Sequence, residues 1–451
     1  MTLNKLVQWL KPNSIMLFNA GSIFVTTAVT SLLGFVYWWA AARWFPPRSI
    51  GVAAAAISAM TLLGQMCILG LGTLLTTELP RQPDKAEPLI STALTVVGVV
   101  GVCVGMLFVY ISPYVSHEFQ PLKASVRDAV IFVAGISLTA IILVLDQALI
   151  GLLRGGQRLW RNTLFATAKL AALIVIGFWL SSRGVMSIYA TWVFGSMISL
   201  VVLIIPIMSK KHWSVKSYLP RWELLRKLRK QALLHHFLNL ALQAPILILP
   251  ILVTVLLSAD ANAWFYISWN IVGFVLVVPS ALTNVLQAMG SAQPSTLAHK
   301  ARVTIGMAFA VSVLTICVLQ LAAGQILSLF GSSYAAQASW CLRILLLALF
   351  PIVIHEHYLS ICRIRSQIGQ ALLRIIPGAL LEIGGAALGA HLMGLVGLCI
   401  GWVAANYIES IFMFSTVYKA VWAVETPRTG TKDGNVSAGT VHLVGALGQG
   451  D

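Results

Sequence analysis

The sequence predicts an all-α membrane protein with about 12 transmembrane helices, arranged in two six-helix lobes around a central cavity. Of its 451 residues, 58% are hydrophobic and only 10% are charged, whereas a soluble domain carries about 25% charged residues. The mean hydropathy is +0.87. The apolar residues also occur in runs long enough to cross a bilayer as helices, which takes about 20 residues each.

Charged or Pro/Gly-rich breaks separate the apolar runs. The predicted spans are 15–42, 50–76, 89–112, 129–153, 162–182, 185–208, 235–257, 262–289, 303–322, 341–362, 367–390 and 393–418. The first run is longer than the apolar segment of a signal peptide, so we expect it to stay in the bilayer. These spans define four parts: an N-lobe (1–208), a basic cytoplasmic linker (209–234), a C-lobe (235–420) and a tail (421–451) whose composition predicts a disordered cytoplasmic segment.

The basic residues alternate between breaks and predict the orientation. If the N-terminus is inside, 22 of the 30 Lys and Arg residues lie in cytoplasmic segments, five in outer segments and three within spans. This asymmetry follows the positive-inside rule. We therefore expect a multi-pass membrane protein with both termini in the cytoplasm. The net charge of +16 then indicates contact with membrane lipids, and no nucleic acid is expected.

Charged residues inside the spans predict a parallel repeat, because two halves of six spans enter the membrane in the same direction. Asp146 and Lys169 in the first half correspond to Glu356 and Arg374 in the second, at offsets of 210 and 205 positions. All four lie about 10–13 Å inside the predicted cytoplasmic boundary at ~1.5 Å per residue. We therefore expect two equivalent ion pairs, Asp146–Lys169 and Glu356–Arg374.

Two further carboxyl groups, Glu382 and Glu409, also lie within predicted spans. Ionisable groups in a bilayer are costly, so each of these charges is a candidate for ion coupling as well as for structural pairing. The six cysteines are scattered and form no CxxC motif, so neither a metal site nor a disulfide framework is predicted.

Polar side chains recur at helical spacing in spans 1, 2, 7 and 8. One interpretation is hydrogen bonding between helices, which is common in membranes. The other is a water-filled cavity, which we favour because the four stripes lie on the leading pair of helices in each half. The predicted cavity residues are Asn19, Thr26, Gln65, His235, Asn239, Gln243, Asn270 and Asn284.

Three arginines, Arg154, Arg158 and Arg161, follow the fourth span at spacings of four and three. They project as one cationic face if the helix is continuous. The simpler interpretation is positive-inside anchoring. The functional alternative is a guide for phosphate, because the guanidinium fork matches phosphate oxygens.

Two stretches resemble a known family. They are RWFPPRSIGVAAAAISAMTLLGQMCILGLGTLLTTELPR (43–81) and LDQALIGLLRGGQRLWRNTLFATAKL (145–170). Both are similar to bacterial polysaccharide-biosynthesis membrane proteins, the lipid-linked oligosaccharide (O-antigen, Wzx-type) flippases of the multidrug/oligosaccharidyl-lipid/polysaccharide (MOP) exporter superfamily. The resemblance implies two lobes across a V-shaped cavity lined by spans 1, 2, 7 and 8, with a cationic lumen for an anionic lipid. Those four spans contain no Lys or Arg here, so His235 and His236 are the candidate replacements.

The resemblance implies a flippase that moves an undecaprenyl-pyrophosphate-linked oligosaccharide across the inner membrane by alternating access. Its expected partners are the lipid-linked glycan, membrane lipids, a polysaccharide polymerase and glycosyltransferases. No catalytic residue, metal or cofactor is expected, and the P-loop motif of nucleotide-driven transporters is missing. Two alternatives remain: a drug/cation antiporter of the same superfamily, and a membrane-embedded glycan polymerase or acyltransferase.

Overall fold

The computed structural model describes residues 3–179, 184–208, 230–292 and 296–422, and this part of the chain folds into helices joined by turns. The predicted linker and tail lie largely outside the described residues. Seven helices precede the linker: α1 (Leu3–Trp44), α2 (Pro47–Cys67), α3 (Leu71–Glu78), α4 (Ala86–Val115), α5 (Val126–Gly151), α6 (Gly155–Trp179) and α7 (Val185–Met208). Seven follow it: α8 (Lys230–Leu256), α9 (Ala259–Val275), α10 (Val277–Ala292), α11 (Leu297–Ser328), α12 (Ser332–Leu346), α13 (Leu349–Ile364) and α14 (Ile368–Val421).

Ten helices in the described part of the chain are long and apolar enough to cross a membrane, or eleven when α12 and α13, bent by 45°, are taken as one span. The last helix, α14, has 54 residues and would be about 80 Å long if straight. It reverses at Met393 and Gly394, whose backbones are not helical. Close contacts between Gly385 and Gly401 show that its two arms run side by side. The predicted number of twelve is reached when each arm is counted as one span.

Two of the predicted spans are interrupted part-way along their length. The break between α2 and α3 has left-handed backbone at Leu69 (φ 52°) and Gly70 (φ 78°). The break between α9 and α10 lies at Leu276. Interrupted helices leave backbone groups unpaired, which a membrane protein tolerates where the backbone borders a cavity. Ile68 and Leu276, at the two breaks, both line the cavity described below.

The helices pack as two lobes. In the N-lobe α1 packs on α6, α6 on α7, and α5 on both α2 and α4. In the C-lobe α14 packs on α8 and α13, while α12 packs on α9 and α11. The lobes contact each other mainly through α2, which lies against α8 and α9. This is the two-lobe architecture predicted from the sequence.

The turns after α5 and α13 reveal the register of the repeat. Leu153 and Ser366, 213 positions apart, both have φ 56°. Each turn has three backbone hydrogen bonds, and every donor and acceptor of the first turn has its equivalent 213 positions later in the second. For example, Arg154 N donates to Leu149 O, and Gln367 N donates to Cys362 O. The two halves are therefore related by 213 positions near these turns, not by the 205–210 positions read from the charges.

One end of the bundle, which we call the closed end, joins the lobes. Here α2 and α9 both begin, and the Cα of Gly51 lies so close to the Ala259 carbonyl that an added Cβ would overlap its oxygen. Beside this contact Asn262 Nδ2 donates to Gly51 O over 2.7 Å. Arg43 Nε donates to Leu329 O over 2.9 Å. Ring contacts of Phe35 with Phe330 and of Trp38 with Tyr266 complete the closure.

The apolar cores differ at the two ends. At the closed end one continuous core contains residues of both lobes, such as Ala53 and Phe265. Toward the opposite end, which we call the open end, the C-lobe has a separate core that includes Leu238, Leu286 and Met413. Within the described side chains this second core contains no N-lobe residue. The lobes are thus packed together at one end only.

The close approach at Gly51 is testable with Gly51→Ala. The added Cβ would overlap the Ala259 carbonyl, so we expect the closed end to open. In a background without native cysteines, Ala263→Cys reports on this interface, because Ala263 is fully buried beside Gly51. Gly51→Ala should raise its labelling rate with a small maleimide at least about tenfold, since a roughly 1.4 kcal/mol shift suffices for that factor.

The matched control is Gly34→Ala, because a Cβ at Gly34 meets nothing within 4 Å. It should leave the labelling rate unchanged. Continued protection of the introduced cysteine in the Gly51→Ala protein would show that the lobes are not closed by this contact.

Candidate functional site

A cavity of about 490 Å³ lies between the lobes and mainly within the C-lobe. The C-lobe supplies most of its wall through α8, α9, α13 and α14, and the N-lobe adds Gln65 and Gln147. Its polar lining residues are Gln65, Gln147, Asn239, Gln243, Trp269, His355, Glu356, Arg363, Glu382, Trp402 and Asn406. This is a mixed surface of amides, aromatic rings and charges of both signs.

Three of the predicted cavity residues, Gln65, Asn239 and Gln243, line this space. They come from spans 2 and 7, two of the four stripes. His235 lies one turn before Asn239 and is close enough to Arg363 for their charges to interact. His236, the neighbouring candidate, is buried.

The other predicted cavity residues do not line this cavity, or their side chains lie outside the described residues. The Thr26 hydroxyl donates to Ser22 O within α1, and Asn270 Nδ2 donates to Tyr266 O within α9 over 2.7 Å. Asn284 is exposed on α10 and does not line the cavity. The side chain of Asn19 lies outside the described residues. For Thr26 and Asn270 the local hydrogen bond is therefore the better explanation of the stripe.

Two tryptophans form an aromatic wall that the polar stripes did not indicate. Trp269 of α9 and Trp402 of α14 meet edge to face with their ring centroids 4.7 Å apart. The Trp402 Nε1 donates to Glu382 Oε2 over 2.6 Å, and Asn406 Nδ2 donates to the same oxygen over 3.1 Å. These bonds fix the Trp402 ring against the cavity. The spacing of Trp402, Asn406 and Glu409 on one helical face is the signal that could have revealed this wall.

Glu409 lies directly behind Glu382. It is 5% exposed and packs on the bare Cα of Gly378. Neither of its oxygens has a hydrogen-bond partner, although the two carboxyl groups are close enough to interact. Two neighbouring carboxylates repel each other in an apolar setting, so the pair is a candidate site for a proton or a cation.

Lys169 does not pair with Asp146, so the first predicted ion pair is wrong. Its Nζ lies 3.6 Å from the centroid of Trp192, 4.8 Å from that of Phe165 and 5.1 Å from that of Tyr37. Aromatic faces stabilise a desolvated cation by about 2 kcal/mol or more. At the 213-position register Lys169 corresponds to Glu382, so the repeat places side chains of opposite charge at equivalent sites. Lys169 lies against Trp192 of the next helix, and Glu382 against Trp402 of the second arm of α14.

Asp146 instead pairs with Arg161. Arg161 Nε and Nη2 each donate to a carboxylate oxygen of Asp146, over 2.9 and 2.8 Å. Asn162 Nδ2 adds a third bond over 3.2 Å, and Arg158 Nε lies 3.7 Å from the same carboxylate. With Arg161 only 1% exposed, this network braces α5 against α6.

The predicted phosphate guide is therefore also wrong. Helix α6 begins at Gly155, so Arg154 lies in the preceding turn and does not share a helical face with the other two. Arg158 and Arg161 face Asp146, which neutralises much of their charge. Periodicity alone could not show that a carboxylate on α5 faces this stripe.

The second predicted pair, Glu356–Arg374, is wrong for a related reason. Arg374 Nη1 donates to Phe412 O over 3.1 Å and to Thr416 Oγ1 over 2.9 Å, and its guanidinium lies over the Tyr358 ring. In the repeat register Arg374 corresponds to Arg161, while Leu359 occupies the position of Asp146. Glu356 faces the cavity near Arg363.

We predict that Asp146→Asn destabilises the protein by about 3 kcal/mol, because the buried Arg161 loses its counter-ion. The double variant Asp146→Leu, Arg161→Met should be more stable than either single variant, because it leaves no lone buried charge. Thermal unfolding in detergent measures this. Glu118→Gln is the control, because its partner Arg48 is 69% exposed and such surface pairs contribute at most about 1 kcal/mol. A double variant no more stable than the worse single would contradict the pairing.

Comparison with known proteins assigns the chain to a family. The family model described as "Polysaccharide biosynthesis protein" matches residues 16–266. A sequence comparison with curated proteins gives no match. Among solved structures, the inward-facing conformation of a multidrug-resistance MATE transporter of the MOP superfamily matches with a TM-score of 0.70 and 17% identity, covering 89% of this chain and 98% of that chain.

An outward-facing conformation of a MATE transporter matches with a TM-score of 0.59 and 16% identity, over 91% of this chain and 96% of the other. A MOP-superfamily transporter from Pyrococcus furiosus, described as having a binding pocket of reversed polarity, matches with a TM-score of 0.61 and 15% identity over 91% and 96% of the chains. These structural likenesses show a shared fold. The family match over more than half of the sequence shows that this multi-pass membrane protein belongs to the polysaccharide biosynthesis proteins.

Proposed function

We propose that this protein is a flippase that moves an undecaprenyl-pyrophosphate-linked oligosaccharide from the cytoplasmic to the outer leaflet of the bacterial inner membrane. The observation that carries the proposal is the combination of one cavity with a tryptophan wall, several amides and an arginine. Glycosyltransferases would supply the substrate and a polysaccharide polymerase would use the product. The transporter fold supports this reading over the membrane-enzyme alternative.

The tryptophan wall and the amides suit a sugar. Aromatic rings pack against the C–H faces of pyranose rings, while amide and carboxyl groups bond the hydroxyls. Trp269 and Trp402 supply the rings, and Gln65, Asn239 and Gln243 supply both donors and acceptors. The cavity volume of about 490 Å³ falls within the usual range of ligand sites, about 300–1,000 Å³. The polar head would occupy this space while the lipid tail stays in the bilayer.

Arg363 is the best candidate for binding the pyrophosphate. It lines the cavity near the end of α13, so it lies toward the open end, where the headgroup would enter. Its guanidinium is half-buried, and such a fork binds two phosphate oxygens at once. His235 lies nearby and can add a second donor. The cation that spans 1, 2, 7 and 8 lack would thus come from the end of span 10.

The direction of transport follows from the orientation. The distribution of Lys and Arg supports a cytoplasmic open end, on the same side as both termini, and the higher TM-score with the inward-facing relative supports the same state. In this account the closed end, with Gly51 and Asn262, faces outward. Rocking of the lobes about α2, α8 and α9 would then open it, as in other transporters built from repeats.

A second function, export of an organic cation coupled to an inward-moving ion, is favoured by one observation. Three carboxyl groups, Glu356, Glu382 and Glu409, lie in or behind the cavity wall. The same groups fit the flippase if the Glu382–Glu409 pair carries a coupling proton while Arg363 holds the substrate. The two functions differ in what Arg363 does, because a cation substrate would be repelled by it.

Replacing Arg363 separates them. In cells that lack the chromosomal gene, Arg363→Met should lower the surface glycan at least about tenfold, because loss of a charge-assisted bond costs about 1.5–3 kcal/mol. The lipid-linked intermediate should accumulate. Arg365→Met is the control, because Arg365 is exposed in the turn two residues later. Normal glycan with Arg363→Met, or organic-cation efflux that survives it, would overturn the flippase assignment.

A further inference from the structure

Two buried cysteines of the C-lobe lie in direct contact. The Sγ atoms of Cys341 in α12 and Cys399 in α14 are 3.1 Å apart, and the two residues are 1% and 0% exposed. The other cysteines have no such neighbour in the described part of the chain: Cys67 and Cys362 are buried singly, and Cys103 and Cys317 are exposed. We propose that Cys341 and Cys399 form a disulfide bond that ties α12 to α14.

The geometry requires only a small movement. A disulfide is ~2.05 Å long, so the sulfurs, now 3.1 Å apart, need to approach by about 1 Å. Buried thiols often act as small apolar side chains, but that role does not require two sulfurs to contact each other. The neighbours in this core are apolar, among them Leu342, Leu345 and Leu398.

The position in the bundle favours oxidation. Cys399 lies five residues after the α14 reversal at Gly394, about 8 Å from it at ~1.5 Å per residue. Cys341 lies nine residues into α12, which begins at the same closed end. The charge distribution supports an outward-facing closed end, next to the compartment where disulfides persist. The disulfide proposal therefore rests on the membrane orientation used in the proposed function, but it does not depend on which substrate is moved.

The step is an ordinary two-electron oxidation. The two thiols lose two protons and two electrons, one S–S bond forms, and a thiol–disulfide oxidoreductase of the outer compartment accepts the electrons by disulfide exchange. Because the packed thiols are shielded, the exchange precedes the final packing of α12 on α14. Once formed, the bond is protected from reductants by the same burial.

The bond would join two functional parts of the C-lobe. Helix α12 follows the turn whose Leu329 carbonyl accepts the Arg43 bond at the closed end. On α14, Cys399 precedes by one turn Trp402, which forms the cavity wall. A bond between them would join α12 and α14 covalently at the outer end of the C-lobe. The C-lobe side of the closed end and the tryptophan wall would then move together.

Thiol counting on the full-length protein tests the proposal. Cells are lysed directly in denaturant with excess N-ethylmaleimide, so that buried free thiols are blocked as well. The excess reagent is removed, the protein is reduced, and the newly released thiols are labelled with a polyethylene-glycol maleimide large enough to shift the band on a gel. We expect the wild type to gain two labels, and Cys341→Ser and Cys399→Ser to gain none. The matched control Cys67→Ser, which removes an unpaired buried thiol, should still gain two.

Because the count is made on denatured protein, a variant of lower stability gives the same answer. No added label on the wild type would overturn the proposal, since all six thiols would then have been free in the cell. Two labels that persist in Cys341→Ser would also overturn it, because the bond would then join other residues. Neither result depends on which substrate the protein moves.

Discussion

A charged side chain inside a bilayer must find a partner or face water, and this constraint organises the whole protein. Asp146 and Arg161 meet it with paired hydrogen bonds, and Lys169 meets it with three aromatic rings. Arg374 uses a carbonyl and a hydroxyl on the neighbouring arm. These groups brace the lobes from within. Glu356, Arg363 and Glu382 instead face the cavity, and Glu409 lies buried behind Glu382. The candidate site is thus the place where charged side chains face a cavity.

The closest contact between the lobes depends on few residues. A glycine without a Cβ lets α2 and α9 approach at Gly51 and Ala259, and one amide bond from Asn262 secures the approach. A closure of this kind suits a protein that must open at one end while it closes at the other.

The sequence predicted the class of fold well because hydrophobic length and basic asymmetry are properties of single segments. The membrane helices, the two halves and the parallel repeat needed no knowledge of packing. The pairing of charges did need it. Asp146 and Lys169 were expected at the same depth, but Asp146 lies level with Arg161, about two turns before Lys169 on α6. Spacing along one helix does not say which residue of the next helix lies beside it. A shift of the repeat register from 205–210 to 213 positions changes every assigned equivalent, and only the matched turns at Leu153 and Ser366 reveal it.

The cavity was predicted in part, because polar stripes, like hydrophobic length, are properties of single segments. Amide stripes placed Gln65, Asn239 and Gln243 correctly at the lining, since small polar groups in a span are conspicuous. Trp269 and Trp402 were missed, because tryptophan is common in any apolar helix and its role appears only when two rings meet across helices. Arg363 was counted as a positive-inside residue, although its neighbours direct it into the cavity.

The central claim is that this cavity binds a pyrophosphate-linked glycan lipid, and native mass spectrometry of the protein released from its own membranes tests it most directly. We expect an adduct with the mass of a polyprenyl-pyrophosphate oligosaccharide, retained at moderate activation energy and lost from the Arg363→Met protein but not from Arg365→Met. Adducts of phospholipids alone, or a glycan-lipid adduct equally abundant in both variants, would contradict it.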